Sequence, residues 1–290
     1  MTPATAVQCP CRSLDKVPRS GTRQASARPA WGSEMTNPFS DDRMAAGYAS
    51  SRPAVHPRVI DRVQPWLGPA RMRTAVDIGC GAGLSTKPLL HLADQCVGLD
   101  PAEAMVAFAR GTVPRASFVV ARAEALPFAA GSVDLLTAAG SLNYADLDRF
   151  FPEAARVLAP GGALVVYDFS PGRSFPASDR LDRWFEAFMT RYPAPATRGH
   201  SLSPSALARV APGFTLCHGE DFEVGLSLSP EFYVSYVLTE TNVEEAVRAG
   251  ASIDDIRAWC TGTLAPVFEG SEREVLFRGY VAHLVSRRSS

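Results

Sequence analysis

Short apolar runs alternate with segments of helical periodicity through the middle of the chain. The runs predict strands at 74–78, 96–99, 117–120, 133–138 and 163–169. Segments with apolar residues near helical spacing predict helices at 59–67, 84–93, 102–110 and 146–158. Strands that alternate with helices are typical of a parallel sheet covered by helices on both faces. The pattern therefore predicts an α/β fold.

Two longer segments extend the predicted sheet near the end of the chain. Residues 215–228 and 274–286 predict a final pair of strands that run antiparallel to each other. Helical pieces are expected between them, near 230–248 and 252–259. The whole chain then supplies seven strands.

An aromatic stripe marks the least regular part of the chain. Leu181, Trp184, Phe185 and Phe188 follow the spacing i, i+3, i+4 and i+7, which places them on one face of a helix. We expect this face to be buried in the core. The alternative is that the rings line a binding pocket.

The first forty residues differ from the rest. Met1 to Glu34 contain prolines, serines and arginines, few large apolar residues and no periodicity, which predicts a disordered arm over 1–40. Translation from Met35 is an alternative explanation for this segment. The prolines and weak amphipathicity argue against an organellar transit peptide. We expect one folded domain over 41–290.

Composition excludes several kinds of protein. The chain has 290 residues, 46% of them hydrophobic, and a net charge of −1, so a nucleic-acid partner is not expected. No apolar run approaches the ~20 residues needed to span a bilayer, so stable membrane insertion is not expected. The six cysteines lack metal-ligand spacing, which predicts no metal site and fits a reducing, cytoplasmic location.

A glycine-rich loop carries the strongest chemical signal. The run from Ala75 to Thr86, AVDIGCGAGLST, predicts a strand, a turn with glycines at 79, 81 and 83, and the start of a helix. A second apolar run ends in Asp100, about twenty residues later, where a carboxylate can accept hydrogen bonds from both hydroxyls of a ribose. The two features predict a nucleoside site.

The spacing argues against the commonest nucleotide loops. The dinucleotide fingerprint requires a third glycine, but Leu84 or Thr86 stands there in the two registers, and Lys87-Pro88 breaks the phosphate-loop pattern. The Asp77 carboxylate would repel a phosphate and attract an ammonium group. A ligand with a ribose, an amino group and no phosphate is S-adenosylmethionine. A nicotinamide-dependent oxidoreductase is the weaker alternative.

Four ordered motifs resemble one family. Val76–Gly83, Ala123–Phe128 (AEALPF), Gly131–Leu136 (GSVDLL) and Ala155–Gly162 (ARVLAPGG) are similar to motifs of class I S-adenosylmethionine-dependent methyltransferases, in the subgroup of ubiquinone/menaquinone and trans-aconitate enzymes. The resemblance implies a Rossmann-like, seven-stranded sheet that is mostly parallel with an antiparallel last strand. It also implies S-adenosylmethionine as cofactor and methyl transfer to a small-molecule acceptor.

The resemblance also implies a set of cofactor-binding residues, at the ends of the predicted strands: Asp77, Gly79, Cys80, Gly81, Asp100, Pro101, Ala123, Glu124 and Ala139. Several have structural alternatives. Asp77 could order the loop, and Glu124 could be a surface acid. Tyr48 and Arg52 could reach the cofactor's carboxylate, or could be a packing tyrosine and a surface arginine.

The resemblance leaves the acceptor open. It places a variable, substrate-covering insertion near 171–205, and we expect this segment to form the acceptor pocket with Asn143 and Tyr144. Methyl transfer needs a general base only when the acceptor must lose a proton, and the candidates are His56, His200, Tyr144 and Asp168. A non-catalytic protein that binds S-adenosylmethionine or S-adenosylhomocysteine is the alternative, because fold does not imply activity.

Overall fold

The computed structural model describes residues 42–194 and 200–287, and the seven strands of these residues form one sheet. The strands are β1 (Met72–Ile78), β2 (Ala93–Asp100), β3 (Ser117–Val120), β4 (Val133–Ala139), β5 (Leu158–Phe169), β6 (Phe214–Leu228) and β7 (Arg273–Ser286). Their order across the sheet is β3-β2-β1-β4-β5-β7-β6. Strands β1 to β5 pair in parallel, and β7 pairs antiparallel with both β5 and β6.

Helices cover both faces of the sheet. They are α1 (Asp42–Ser51), α2 (Val55–Leu67), α3 (Glu103–Thr112), α4 (Leu147–Val157), α5 (Arg180–Arg191), α6 (Pro204–Val210), α7 (Pro230–Val237), α8 (Thr241–Arg248) and α9 (Ile253–Phe268). Buried residues of α2, α5, α7 and α9 share one core with β5 and β7. Buried residues of α4 and α6 form a second core with the other side chains of the sheet.

The predicted architecture is confirmed. All seven predicted strands are present, including the antiparallel pair at the end of the chain, and the sheet is mostly parallel. One strand begins earlier than predicted, because β5 starts at Leu158 and the Gly161-Gly162 pair lies inside it. Its pairing with β4 shifts register between Val133 and Leu135, so the glycines belong to an irregular strand rather than to a turn before it.

The predicted helix over 84–93 is wrong. Residues 81–86 form turns, the only helical segment there is a short 3₁₀ helix over Lys87–His91, and β2 already begins at Ala93. Pro88 cannot donate a backbone hydrogen bond, and few residues remain before the strand, so a regular α-helix has no room to extend. The loop therefore does not present a helix N-terminus to a ligand, contrary to what the motif suggests.

The aromatic face of α5 is buried in the core. Leu181 and Phe188 are fully buried, Trp184 and Phe185 nearly so. The Trp184 ring stacks on Phe188 at 5.2 Å between centroids, and its Nε1 donates a hydrogen bond to Thr263 Oγ1 on α9 at 2.8 Å. This packing favours the core interpretation over rings that line an open pocket.

The described residues bear on two further expectations and leave one untouched. No helix within residues 42–194 and 200–287 is long and apolar enough to cross a bilayer. Among the same residues, no group of three or more His, Cys, Asp or Glu side chains is arranged to hold a metal ion. The predicted arm and the alternative start at Met35 lie outside the described residues.

The packing of α5 predicts a large loss of stability on truncation. Phe188→Ala should lower the free energy of unfolding by about 3–5 kcal/mol, the usual cost of removing a buried aromatic ring. Glu186→Ala, on the exposed face of the same helix, should change it by less than about 0.5 kcal/mol. Urea denaturation of both variants measures the difference. A stable Phe188→Ala variant would restore the pocket interpretation.

Candidate functional site at the carboxyl edge of the sheet

The carboxyl ends of the parallel strands bring the predicted site residues to one edge of the sheet. The glycine loop follows β1, Asp100 ends β2, and Glu124 follows β3. Ala139 ends β4. The strand order reverses between β1 and β4, and in open α/β sheets ligands bind in the crevice at such a point.

The glycine loop adopts a conformation that requires glycine. Gly79, Gly81 and Gly83 have φ values of +67°, +51° and +89°, which other residues rarely adopt. A Cβ at Gly79 would collide with the side chain of Ser141, whereas a Cβ at Gly81 would point into open space. The loop is therefore packed on one side and leaves room for a ligand above Gly81.

Asp77 is fully buried beneath this loop. Its Oδ2 accepts hydrogen bonds from Ser85 Oγ at 2.6 Å and Thr86 Oγ1 at 2.7 Å, and its Oδ1 accepts one from Thr137 Oγ1 at 2.8 Å. Burial raises the pKa of the carboxyl, and the three hydroxyl bonds oppose that rise. With its oxygens engaged in this way, Asp77 is better placed to order the loop than to contact a ligand directly.

Asp100 lies at the mouth of the loop and is partly exposed. Its Oδ2 accepts a hydrogen bond from Gly81 N at 3.0 Å and its Oδ1 one from Ala102 N at 2.8 Å. Burial raises its pKa, while these two backbone bonds lower it. Each carboxylate oxygen can accept a second bond, so Asp100 retains capacity for two ligand hydroxyls. Pro101 follows it and is exposed.

Cys80 differs from its glycine neighbours. Its side chain is buried, and its backbone N–H donates a hydrogen bond to Leu99 O at 2.9 Å. Burial raises the pKa of the thiol well above its ordinary value, so the group stays protonated. Cys80 packs beneath the loop and offers a ligand little surface.

Glu124 is engaged within the protein. Its Oε1 accepts a hydrogen bond from Asp146 N at 2.9 Å, and its Oε2 lies 3.3 Å from Arg122 Nε. Glu124 is buried and Ala123 is partly buried, so the pair ties the exit of β3 to the start of α4. The surface-acid alternative for Glu124 is therefore wrong, and its carboxylate has a structural role at this edge.

The ends of β4 and β5 form the other half of the edge. Ala139 is partly buried, and Gly140 has φ +70° and donates its N–H to Tyr167 O at 2.8 Å. Asn143 Nδ2 donates a hydrogen bond to Asp168 Oδ2 at 2.7 Å. The structure thus brings Asn143 and Asp168 together beside the last residues of β4.

Ser141 connects the two halves. It belongs to a 3₁₀ helix over Ser141–Tyr144, and its Oγ donates a hydrogen bond to Ile78 O at 2.5 Å. Ile78 is the last residue of β1, immediately before the glycine loop. The segment that carries Asn143 is therefore anchored to the strand that carries the loop.

Arg52 is not a surface arginine. Its guanidinium lies 3.8 Å from the centroid of the Tyr48 ring, pairs with Glu240 at 3.0 Å and donates a hydrogen bond to Thr239 O at 3.0 Å. Its Nε is buried and has no hydrogen-bond partner among the described residues. The contacts tie α1 to the residues after α7, which is a packing role for both Tyr48 and Arg52.

The four general-base candidates lie in different environments. His56 Nδ1 is 2.9 Å from Tyr167 Oη, and burial lowers the pKa of His56 to about 4, so the ring is neutral at physiological pH. His200 donates its backbone N–H to Asn143 O at 2.8 Å and is exposed. Tyr144 is half-exposed next to Asn143. Asp168 alone of the four presents a carboxylate at the ends of β4 and β5.

Sequence reasoning missed the residues that hold the site together. Ser85, Thr86 and Thr137 bind Asp77, Ser141 binds the end of β1, and Glu240 pairs with Arg52. Ser85 and Thr86 directly follow the glycine motif, so the sequence offered their hydroxyls as possible hydrogen-bond donors to Asp77. The other three meet their partners only through the fold, and no local pattern marks them.

Comparison with known proteins supports the class indicated by this edge. Residues 76–166 match the family model described as a methyltransferase domain. An uncharacterised methyltransferase of Mycobacterium tuberculosis is 36% identical over 117 residues, which cover 40% of this chain and 46% of that protein. A malonyl-[acyl-carrier protein] O-methyltransferase of Methylococcus capsulatus is 40% identical over 107 residues, 35% of this chain and 38% of that protein. The chain thus spans less than half the length of these relatives.

A solved structure extends the likeness over most of the chain. A protein provisionally described as a type II methyltransferase from Anaeromyxobacter dehalogenans superposes with a TM-score of 0.62 and 27% identity, over 79% of this chain and 95% of that one. With the sheet order and the glycine loop, these matches support a class I S-adenosylmethionine-dependent methyltransferase, with a methyltransferase domain matched over residues 76–166. The family and fold predictions are confirmed.

The bonding of Asp77 predicts a stability effect rather than a binding effect. Asp77→Asn should lower the free energy of unfolding by about 3 kcal/mol or more, because hydrogen bonds to a charged group contribute about 1.5–3 kcal/mol each and three are disturbed. Asp61→Asn, on the exposed face of α2, should leave it unchanged. Thermal and urea unfolding provide the measurement. A fully stable Asp77→Asn variant with lost cofactor affinity would instead support a direct ligand contact.

Proposed function

We propose that the protein binds S-adenosylmethionine at the carboxyl edge of the sheet and transfers its methyl group to a small-molecule acceptor. The observation that most strongly supports this function is the contact between the glycine loop and Asp100, in which Gly81 N donates a hydrogen bond to Asp100 Oδ2. The loop supplies open space above Gly81, and Asp100 supplies acceptor capacity for ribose hydroxyls beside it.

The residues present fit this cofactor. Gly79 and Gly81 would allow the ligand to lie against backbone, and the Asp100 carboxylate would bind the ribose. Pro101 and Ala123 would border the adenine, and Ala139 with Gly140 would leave room at the end of β4. S-adenosylmethionine supplies an activated methyl group on a sulfonium, so the protein's task is alignment of the acceptor and exclusion of water.

The acceptor end would lie over β4 and β5. Asn143, Tyr144 and Asp168 stand there, next to the position where the crevice between β1 and β4 opens. The segment after β5 passes through α5, whose aromatic face is used by the core, so any cover from 171–205 would come from its other residues. A cytoplasmic location, a small-molecule acceptor and the absence of a nucleic-acid partner remain part of this proposal.

Asp100→Ala tests the cofactor assignment. Loss of two hydrogen bonds to a charged group, at about 1.5–3 kcal/mol each, should weaken S-adenosylmethionine binding by roughly two to four decades. Asp94→Ala is a matched control, because Asp94 lies near the other end of the same strand and is exposed. Isothermal titration of the folded variants gives both affinities. Equal affinities for the two variants would refute the assignment of Asp100 to the ribose.

A turnover assay separates an enzyme from a binding protein of the same fold. Wild-type protein is incubated with S-adenosylmethionine carrying a labelled methyl group and a panel of amines, alcohols, phenols and carboxylic acids. An enzyme should transfer label to at least one class. Tight cofactor binding with no transfer to any acceptor would favour the non-catalytic alternative.

A further inference from the structure

Asp168 is a carboxylate to which the described side chains offer no cationic partner. Its Oδ2 accepts a hydrogen bond from Asn143 Nδ2 at 2.7 Å, and its Oδ1 accepts one from Phe169 N at 2.8 Å. Within residues 46–194 and 200–287, no Lys, Arg or His forms an ion pair with it. Burial raises its pKa, because the charged form is desolvated without a counter-charge. Such a group favours a ligand that brings a positive charge.

Two tyrosines lie beside this carboxylate. Tyr280 on β7 is the direct register partner of Asp168 on β5, which places the two side chains on one face roughly 5 Å apart. Tyr144 directly follows Asn143, which donates a hydrogen bond to Asp168, and the Tyr144 side chain is half-exposed. Burial raises the pKa of Tyr280 and Tyr144, and the negative charge of Asp168 adds to the rise in both.

Carboxylate and aromatic rings together form the environment that binds organic cations. The face of a tyrosine ring attracts an ammonium group through its quadrupole, and the carboxylate accepts the N–H bonds. The other acid nearby, Glu240, is already paired with Arg52, so it adds little net charge of its own. A carboxylic acid would be repelled by Asp168, and an alcohol would leave its charge unpaired.

The geometry is also suited to the reaction. A Cβ placed on Gly140 would come within 2.9 Å of Asp168 Oδ1, so the absence of a side chain at the end of β4 gives the carboxylate an open approach. Asn143 holds Asp168 in place from the 3₁₀ helix that is anchored to β1 through Ser141. The carboxylate is thus fixed next to the end of the crevice where the methyl group is proposed to lie.

We infer that Asp168 is the recognition group of the acceptor site, and that the acceptor is a small organic amine bound as its ammonium ion between Asp168 and the tyrosines 144 and 280. The inference rests on the proposed function and specifies its substrate class. During transfer the ammonium nitrogen gives one proton to Asp168, and its freed electron pair forms the new N–C bond. The electron pair of the broken C–S bond stays on sulfur, and the proton passes from Asp168 to solvent.

Binding of matched probes tests this inference without relying on turnover. Phenethylamine and hexylamine are titrated into the protein at neutral pH with saturating S-adenosylhomocysteine, beside the alcohol and the carboxylic acid of the same carbon skeletons. The amines should bind about tenfold or more tightly than their alcohols, and the acids should bind least. This comparison uses wild-type protein, so it does not depend on the folding of a variant.

The variant Asp168→Asn provides a second test of amine binding. The amide keeps the shape and still accepts from Asn143, so the variant should bind S-adenosylhomocysteine as wild type does while amine affinity falls about ten- to a hundredfold. Asp221→Asn is the matched control, because Asp221 is exposed on β6 and is the register partner of Tyr280 on its other side. It should leave amine binding unchanged.

Several results would overturn the inference: equal binding of amines and alcohols, no detectable binding of either amine, or undiminished amine binding by Asp168→Asn. Failure of the proposed function has a different signature, since wild-type protein would then not bind S-adenosylhomocysteine in the titration that precedes the probes.

Discussion

The buried carboxylate of Asp77 is the constraint on which the site depends. A charge inside a protein is strongly unfavourable unless donors surround it, and here the donors come from two separate segments. Ser85 and Thr86 belong to the turns after the glycine loop, and Thr137 belongs to β4. The loop must fold back over the end of β1 to supply the first two. Strand β4 must stand in register beside β1 to supply the third, and the pairing of Asp77 with Thr137 shows that it does.

Backbone groups on either side of Asp77 form the hydrogen bonds that hold the two ends of the site. On one side, the N–H of Gly81 closes on Asp100. On the other, Ser141 closes on the carbonyl of Ile78 and so fixes the segment that holds Asp168 through Asn143. Because these bonds join residues of the protein to one another, the fold itself fixes the positions of both ends of the site. The arrangement is preorganised, which is the main requirement when the transferred group is already activated.

The sequence predicted the sheet, and it predicted that the candidate residues meet at one edge of it, because both depend on local patterns. Apolar runs marked all seven strands, and the glycines with Asp100 marked the edge where they end. It could not assign Asp77 its role, because Thr137 lies sixty residues away and meets it only through β-strand register. The same applies to Asp168 and Tyr280, which are opposite each other on antiparallel strands. The helix predicted after the glycine loop was wrong for a different reason. A glycine motif of this kind is commonly followed by an α-helix, but here Pro88 and the early start of β2 leave only a short 3₁₀ helix.

The contact of Arg52 with the residues after α7 has a consequence for the order in which the chain folds. Arg52 donates to the carbonyl of Thr239, 187 residues further along the sequence. On the ribosome the N-terminal part emerges first, and closing so long a loop must await synthesis of nearly the whole polypeptide. The glycine loop and Asp100 can form while α1 is still undocked. The contacts of Arg52 with Glu240 and Thr239 therefore form late, after the parallel strands β1 to β5 have been synthesised, and a nascent chain that ends before Thr239 would lack them.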